Sequence, residues 1–178
     1  MGALRIGHAF PSEAAPLATL QLRAALAGFR HIFPPEASPP TVDGLTAEWA
    51  RWLEPRASDS SRVFVARADL EPVGVVLAMS DPQTADAGHL ARLYVDPERW
   101  GLGIGGELYA AAVDHLSARR FEQATLWVLE GNTRARNWYE RLGWTATTNL
   151  RPVYEAGGIF DVQYRFAVGA RPERAGYQ

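Results

Sequence analysis

"LARLYVDPERWGLGIGGELYAAAVDHL", residues 90–116, joins a short apolar run to a glycine-rich turn and then to a helical pattern. Gly101, Gly103 and Gly106 within it carry the G-x-G-x-x-G spacing of a dinucleotide fingerprint. Glycines at such a turn meet one physical need: backbone N–H groups approach a phosphate closely only where no Cβ intervenes. A helix opening there adds oriented amides and roughly +0.5 charge at its N-terminus. Any pyrophosphate carrier satisfies that description. In a dinucleotide fold, however, the first glycine ends the first strand, with several βα units behind it. Here "DPERW" separates Val95 from Gly101, most of the secondary structure precedes the turn, and only one crossover follows. Glu130 falls near the place of that motif's ribose-binding acid, so the dinucleotide reading stays open, as does a plain turn feeding a helix.

Upstream of the turn, "LRIGHA" (4–9) reads as a strand, and "PSEAAPLATLQLRAALAGFRHIF" reads as a helix with Ser12 as N-cap and Leu17, Leu20, Ala24 and Ala27 on one face. "FPPEASPP" (33–40) is a loop, and "TVDGLTAEWARWLE" carries Leu45, Trp49, Trp52 and Leu53 at helical spacing. "RVFVAR" (62–67) and "VGVVLAM" (73–79) form a hairpin around "ADLEP", and "GHLARLYV" (88–95) is the next strand. Downstream, "ATLWVLE" (124–130) is a strand and "NTRARNWYERLG" (132–143) a helix capped by Asn132, with Gly143 past its end. "WTATTNLRPVY" and "IFDVQYRFAV" close the fold as an antiparallel pair around "EAGG". The expected class is α/β (α+β): a mixed, mostly antiparallel sheet with one βαβ crossover and flanking helices. One domain is expected over 1–170, with 171–178 a frayed tail.

The chain has 178 residues, 47% of them hydrophobic, enough for one core at this size. It has no cysteine, which excludes thiolate nucleophiles and cysteine-ligated metals; no metal site is expected. All its 18 basic residues are arginine, which excludes a Schiff-base lysine and a Walker-type phosphate lysine. The net charge of −2, with arginines spread along the chain, gives no nucleic-acid surface. No apolar run is long enough for a membrane span, "MGALRIGHAF" lacks the core of a secretion signal, and Ile6 stands where a myristoylation signal needs Ser or Thr. A cytoplasmic protein, monomeric or homodimeric, is expected.

Two coupled motifs discriminate among the readings of the turn. "LARLYVDPERWGLGIGGELYAAAVDHLSARRF" followed by "LWVLEGNTRARNWYERLGW" resembles the cofactor-binding half of the GCN5-related N-acetyltransferase (GNAT) superfamily. In that family a strand ending V-x-P leads into [Arg/Gln]-x-x-Gly-x-[Gly/Ala], then a helix, a strand and N-x-x-A-x-x-x-Y-x-x-x-G. Here Trp100, Gly101, Leu102, Gly103, Ile104 and Gly105 occupy the loop, and Asn132, Ala135, Tyr139 and Gly143 carry the second motif. Trp100 stands where the family has Arg or Gln.

The resemblance implies acetyl-CoA as acyl donor. Amides from about Leu102 to Gly106 would cradle its pyrophosphate, with Arg99, Arg134 or Arg136 as added cations. It also implies a strand "RLYV" splayed from "LWVLE", where Leu93, Tyr94 and Val95 pair with the pantetheine arm and a backbone N–H stabilises the oxyanion. Tyr139 matches the tyrosine that protonates the departing thiolate. A protonated amine must also lose a proton, and His89 and Glu130 are the candidate bases. The acceptor, a small-molecule or peptide amine attacking directly in a ternary complex, is expected near "RHIFPPEA" and the last hairpin, with Phe33, Trp49, Tyr154 and Phe160 as walls. The alternative is a non-catalytic acyl-CoA sensor on the same fold.

Overall fold

β-branched and aromatic runs separated by turn chemistry build a seven-stranded sheet, and the helices between them bury its two faces. The computed structural model describes residues 4–54 and 60–169; the tail expected over 171–178 lies outside them. The elements are β1 (Arg5–His8), α1 (Ala14–Phe29), α2 (Val42–Leu53), β2 (Arg62–Ala68), β3 (Glu71–Ser80), β4 (Ala87–Val95), α3 (Ile104–Ala118), β5 (Gln123–Leu129), α4 (Thr133–Arg141), β6 (Thr145–Tyr154) and β7 (Ile159–Ala167). The strand order is β1-β2-β3-β4-β5-β7-β6, so the last strand inserts beside β5 and leaves β6 at the edge. Among the described strands only β4 and β5 run parallel, joined through α3, as the single crossover requires.

Two cores flank the sheet. On one face α3 and α4 bury Leu108, Leu116 and Tyr139 against Val76, Leu126 and Tyr164. On the other, Leu17 and Leu20 of α1 and Leu45 and Trp49 of α2 cover Val65, Val75 and Leu77. Period-two alternation along β3 supplies both faces at once: Val75 and Leu77 look one way, Val76 and Ala78 the other. That second face is covered over β2 and β3 and reaches β4 at Ala91 and Tyr94; on β5 and β7 it carries Thr125, Trp127, Asp161 and Gln163.

The first helix begins later than its sequence pattern suggests. Pro11–Glu13 form a 3-10 turn and Ser12 caps nothing; Glu13 instead accepts from the Phe10 amide at 2.7 Å and takes Arg67 of β2 at 2.6 and 2.7 Å. A bidentate, largely buried ion pair thus pins the start of α1 to the sheet. Ala27, expected on the buried face, is exposed, and α1 ends two residues later, passing into a 3-10 turn at Arg30–Ile32.

Candidate functional site

The β4–β5 ladder runs from Ala87–Gln123 to Leu90–Leu126 and stops. Beyond it β4 continues through Leu93, Tyr94 and Val95, bonded to β3 alone, while Trp127 to Leu129 of β5 bond to β7 alone. Two parallel strands that part leave a wedge lined by unpaired backbone donors and acceptors on β4. An extended, amide-bearing ligand is the natural partner of such an edge.

The glycine turn closes the broad end of this wedge. Gly101 and Gly103 have φ of 82° and 79°, the left-handed region where a side chain is strained, and at both a Cβ would point into open space. Gly103 is the N-cap of the 15-residue α3, whose first helical bond is Glu107 N–H to Gly103 C=O at 3.2 Å. The amides just ahead of it carry the positive end of the helix dipole without an intrahelical acceptor. Leu102 is exposed at the tip, Ile104 and Gly106 are buried, and Gly105 faces Val95 and Trp138.

Trp100 takes a different part from the loop residue whose place it holds. Its indole N–H donates to the Val95 carbonyl at 2.9 Å, and its ring packs against Gly28 of α1. The Arg134 guanidinium lies 4.0 Å above that ring and has no hydrogen bond or ion pair among the described residues. Arg136 is engaged, donating to Tyr164 Oη and the Glu130 carbonyl at 3.0 Å each. Of these two arginines of α4, Arg134 is the uncommitted cation, and it stacks on the first residue of the turn.

Asn132 caps α4 by accepting from the Ala135 amide at 3.2 Å, which fixes the helix that presents Tyr139. Tyr139 is 8% exposed, wedged edge-on between Trp138 and Trp144, and its hydroxyl makes no hydrogen bond among the described residues. Burial pushes its phenol well above the usual range, with the Tyr109 and Tyr94 phenols adding to the effect. A phenol so placed stays protonated and holds its proton for a strong acceptor.

Sequence reasoning missed three side-chain networks, two of which join residues far apart in the chain. The Gln21 carbonyl oxygen accepts from Trp49 Nε1 (2.9 Å) and Arg92 (3.1 Å), which turns its amide nitrogen toward Tyr94 Oη at 3.5 Å. Arg30 donates to the carbonyls of Phe33, Pro34 and Pro35 at 3.0–3.1 Å, clipping the proline-rich segment over α1. A cavity of about 160 Å³ lies beneath that segment, lined by α1, Phe33 and Tyr94. Of the four expected acceptor walls, Phe33 lines it. Trp49 is 1% exposed in the core, and Tyr154 and Phe160 sit on the β6–β7 hairpin.

The third network contains His89. Its Nδ1–H donates to Thr125 Oγ1 at 2.7 Å, and the Thr125 hydroxyl donates to Asp81. Burial lowers the His89 pKa below its ordinary value, against the pull of Asp81, and Arg151 lowers it further. Asp81 is held below the usual carboxylate range: burial alone would raise it, but Thr125, the Gln83 amide and His89 outweigh that. His89 sits in the paired half of β4, about 13 Å along the strand from Leu93, beyond direct hydrogen-bond reach of the wedge. Glu130 follows β5 at the mouth of the wedge and is exposed.

This neutral, buried histidine has a measurable consequence. Because its folded pKa is lowered, the unfolded chain takes up the proton first as pH falls, so stability is lost progressively below about pH 6.5. His115, also lowered by burial, acts in the same direction. Urea midpoints are expected to fall between pH 7.5 and 5.5, and the fall should be smaller in His89→Gln.

Residues 26–144 match the sequence model of the Acetyltransferase (GNAT) family. An uncharacterized N-acetyltransferase of Archaeoglobus fulgidus is 37% identical over 93 residues, covering 50% of this chain and 62% of that protein. A mycothiol acetyltransferase of Thermobispora bispora is 38% identical over 73 residues, covering 41% of this chain and 25% of the relative. The matches thus span less than two thirds of either relative's length. Among solved structures, PaiA N-acetyltransferase from Thermoplasma acidophilum in complex with coenzyme A superposes with a TM-score of 0.74 at 16% identity, covering 93% of this chain and 99% of that one. The ribosomal-protein-S18-alanine N-acetyltransferase from Escherichia coli gives 0.70 at 17% identity, covering 98% and 99%. At such identities the two likenesses concern the fold.

Proposed function

The chain belongs to the GNAT acetyltransferase family, and from that premise we propose that it transfers an acetyl group from acetyl-CoA to a primary amine by direct attack in a ternary complex. The observation that carries this reading is the conjunction of the parted β4–β5 wedge with Tyr139, whose ring is buried and whose hydroxyl, not sealed from solvent, has no hydrogen-bond partner among the described residues. A pure acyl-CoA sensor needs the wedge and the turn but has no use for a protonated phenol.

Acetyl-CoA supplies the acetyl group as an activated thioester. The residues present fit such a donor: left-handed glycines with open space above them, free β4 backbone groups, and a cation without a partner at the turn. The turn amides and the α3 N-terminus bind the pyrophosphate, and Leu93 and Val95, whose peptide groups face away from β3, offer main-chain bonds to the pantetheine arm; those of Tyr94 pair with Val75, and the Val95 carbonyl already accepts from the Trp100 indole. An N–C bond forms and the C–S bond breaks. Tyr139 delivers a proton to the sulfur, and the amine gives one up through water to Glu130, the carboxylate at the wedge. His89 keeps the base of β4 in place and lies too far down the strand to take that proton directly.

Calorimetric titration tests the reading first: acetyl-CoA is expected to bind in the micromolar range while NADH stays silent. Binding of NADH alone would restore the dinucleotide reading of the turn. The same titration tests Arg134. Arg134→Gln is expected to weaken acetyl-CoA binding by about five- to tenfold, the discounted worth of an exposed charge-assisted contact. Acetyl-pantetheine, which lacks the phosphates, should bind both proteins equally; equal losses for the two ligands would place Arg134 outside phosphate binding.

A further inference from the structure

The cavity under the proline-rich segment has an unusual combination of features for a site that must receive an amine. Leu22, Leu26, Phe29, Phe33 and Pro39 make its walls, and polar groups gather at one end, where Gln21 meets Tyr94. Tyr94 belongs to both places: it lines the cavity and lies in the part of β4 that has parted from β5. The chain therefore holds an apolar chamber whose polar end opens on the strand proposed to hold the acyl donor.

Size and charge narrow what enters it. About 160 Å³ is close to the roughly 150 Å³ of an engineered apolar cavity that takes up benzene, and well below the roughly 300–1,000 Å³ of a drug-sized pocket. One ring or one branched aliphatic group fills this space. Among the described residues the two carboxylates that bear on Tyr94 are already paired, Glu48 with Arg92 at 2.6 Å and Asp161 with Arg151 at 2.8 Å. Arg30, in the cavity wall, instead presents like charge to a cationic tail. The walls are also held in place before any ligand arrives, because the three carbonyls taken by Arg30 fix the segment that forms one side.

We infer that the acceptor is a primary amine carried on a single apolar group of about one ring, which occupies this cavity and points its nitrogen past Tyr94 toward the wedge. The inference rests on the acetyl-transfer reading above and deepens it by naming the acceptor class. Burying one such group favours it over a polar tail of equal length by about ten- to a hundredfold.

The test is CoA release over an amine panel, with phenethylamine and isoamylamine set against putrescine and spermidine. Phenethylamine is expected to show a kcat/KM at least tenfold above that of putrescine. Ala25→Phe, which fills the cavity from α1, should raise the KM for phenethylamine about tenfold and leave acetyl-CoA affinity unchanged. A measurement free of turnover accompanies it: titration of phenethylamine into CoA-loaded wild-type protein, where saturable binding is expected. Preference for putrescine or spermidine, or no phenethylamine binding to a protein that does bind acetyl-CoA, would overturn the inference and leave the acetyl-transfer reading standing. Failure to bind acetyl-CoA at all would remove that reading and this inference with it.

Discussion

Tyr139→Phe is expected to lower kcat for acetyl transfer by about two orders of magnitude or more while leaving the Kd for acetyl-CoA nearly unchanged. The substitution removes one oxygen from a side chain whose ring is held on both edges by Trp138 and Trp144, so the ring stays where it is. The lost hydroxyl bonds to nothing among the described residues, so its removal leaves no buried partner unsatisfied. Stability should therefore hold or rise slightly, and a Tm measured beside kcat separates chemistry from unfolding. What disappears is the proton donor to the sulfur. Its pKa, pushed upward by burial, keeps it charged with that proton through the working pH range, so the wild type should show no alkaline loss from this group below about pH 10. A Phe variant with wild-type kcat would make Tyr139 a packing residue and return the sensor reading to first place.

The parts of this site that were legible in the sequence are those built by neighbours. The turn at 101–106 and the Asn132-to-Gly143 helix are each local, so spacing and capping chemistry determine their geometry: Gly103 and Gly143 are indeed left-handed, and Asn132 caps. The strands were legible because period-two alternation feeds two cores. The insertion of β7 between β5 and β6 was not legible, since a hairpin pattern is the same whichever of its strands docks on the sheet. Nor were the acceptor walls. Gln21 meets Tyr94 across 73 positions and Trp49 across 28, and no periodicity within a window of one helix reports on such meetings. Trp49 and Trp52 share a helical face by spacing, yet only the first is fully buried; Trp52 borders a surface groove with Glu48, Arg51 and Arg92. Ser12 looked like a cap until Glu13, one residue on, found both the Phe10 amide and Arg67.

The paired substitution Gly101→Ala and Gly103→Ala is expected to weaken acetyl-CoA binding by about a hundredfold with little change in Tm. Each position sits near φ +80°, where an L-residue costs about 1–2 kcal/mol, so holding both there costs about 2–4 kcal/mol. Where that cost appears depends on whether the turn can relax. Gly101, Leu102 and Gly103 are exposed, and a Cβ at either glycine would meet nothing within 4 Å, so the free protein can let the turn drift to ordinary φ values without disturbing a core. Binding would then have to restore the strained form, and the penalty reads out in affinity. The added methyl groups also occupy the open space through which a phosphate would approach the amides, which acts in the same direction. A plain helix-feeding turn predicts the opposite division: its conformation is demanded by the fold, so the penalty falls on Tm and the ligand notices little. Measuring Kd and Tm on the same double variant thus separates a turn shaped for a pyrophosphate from one shaped only to start α3.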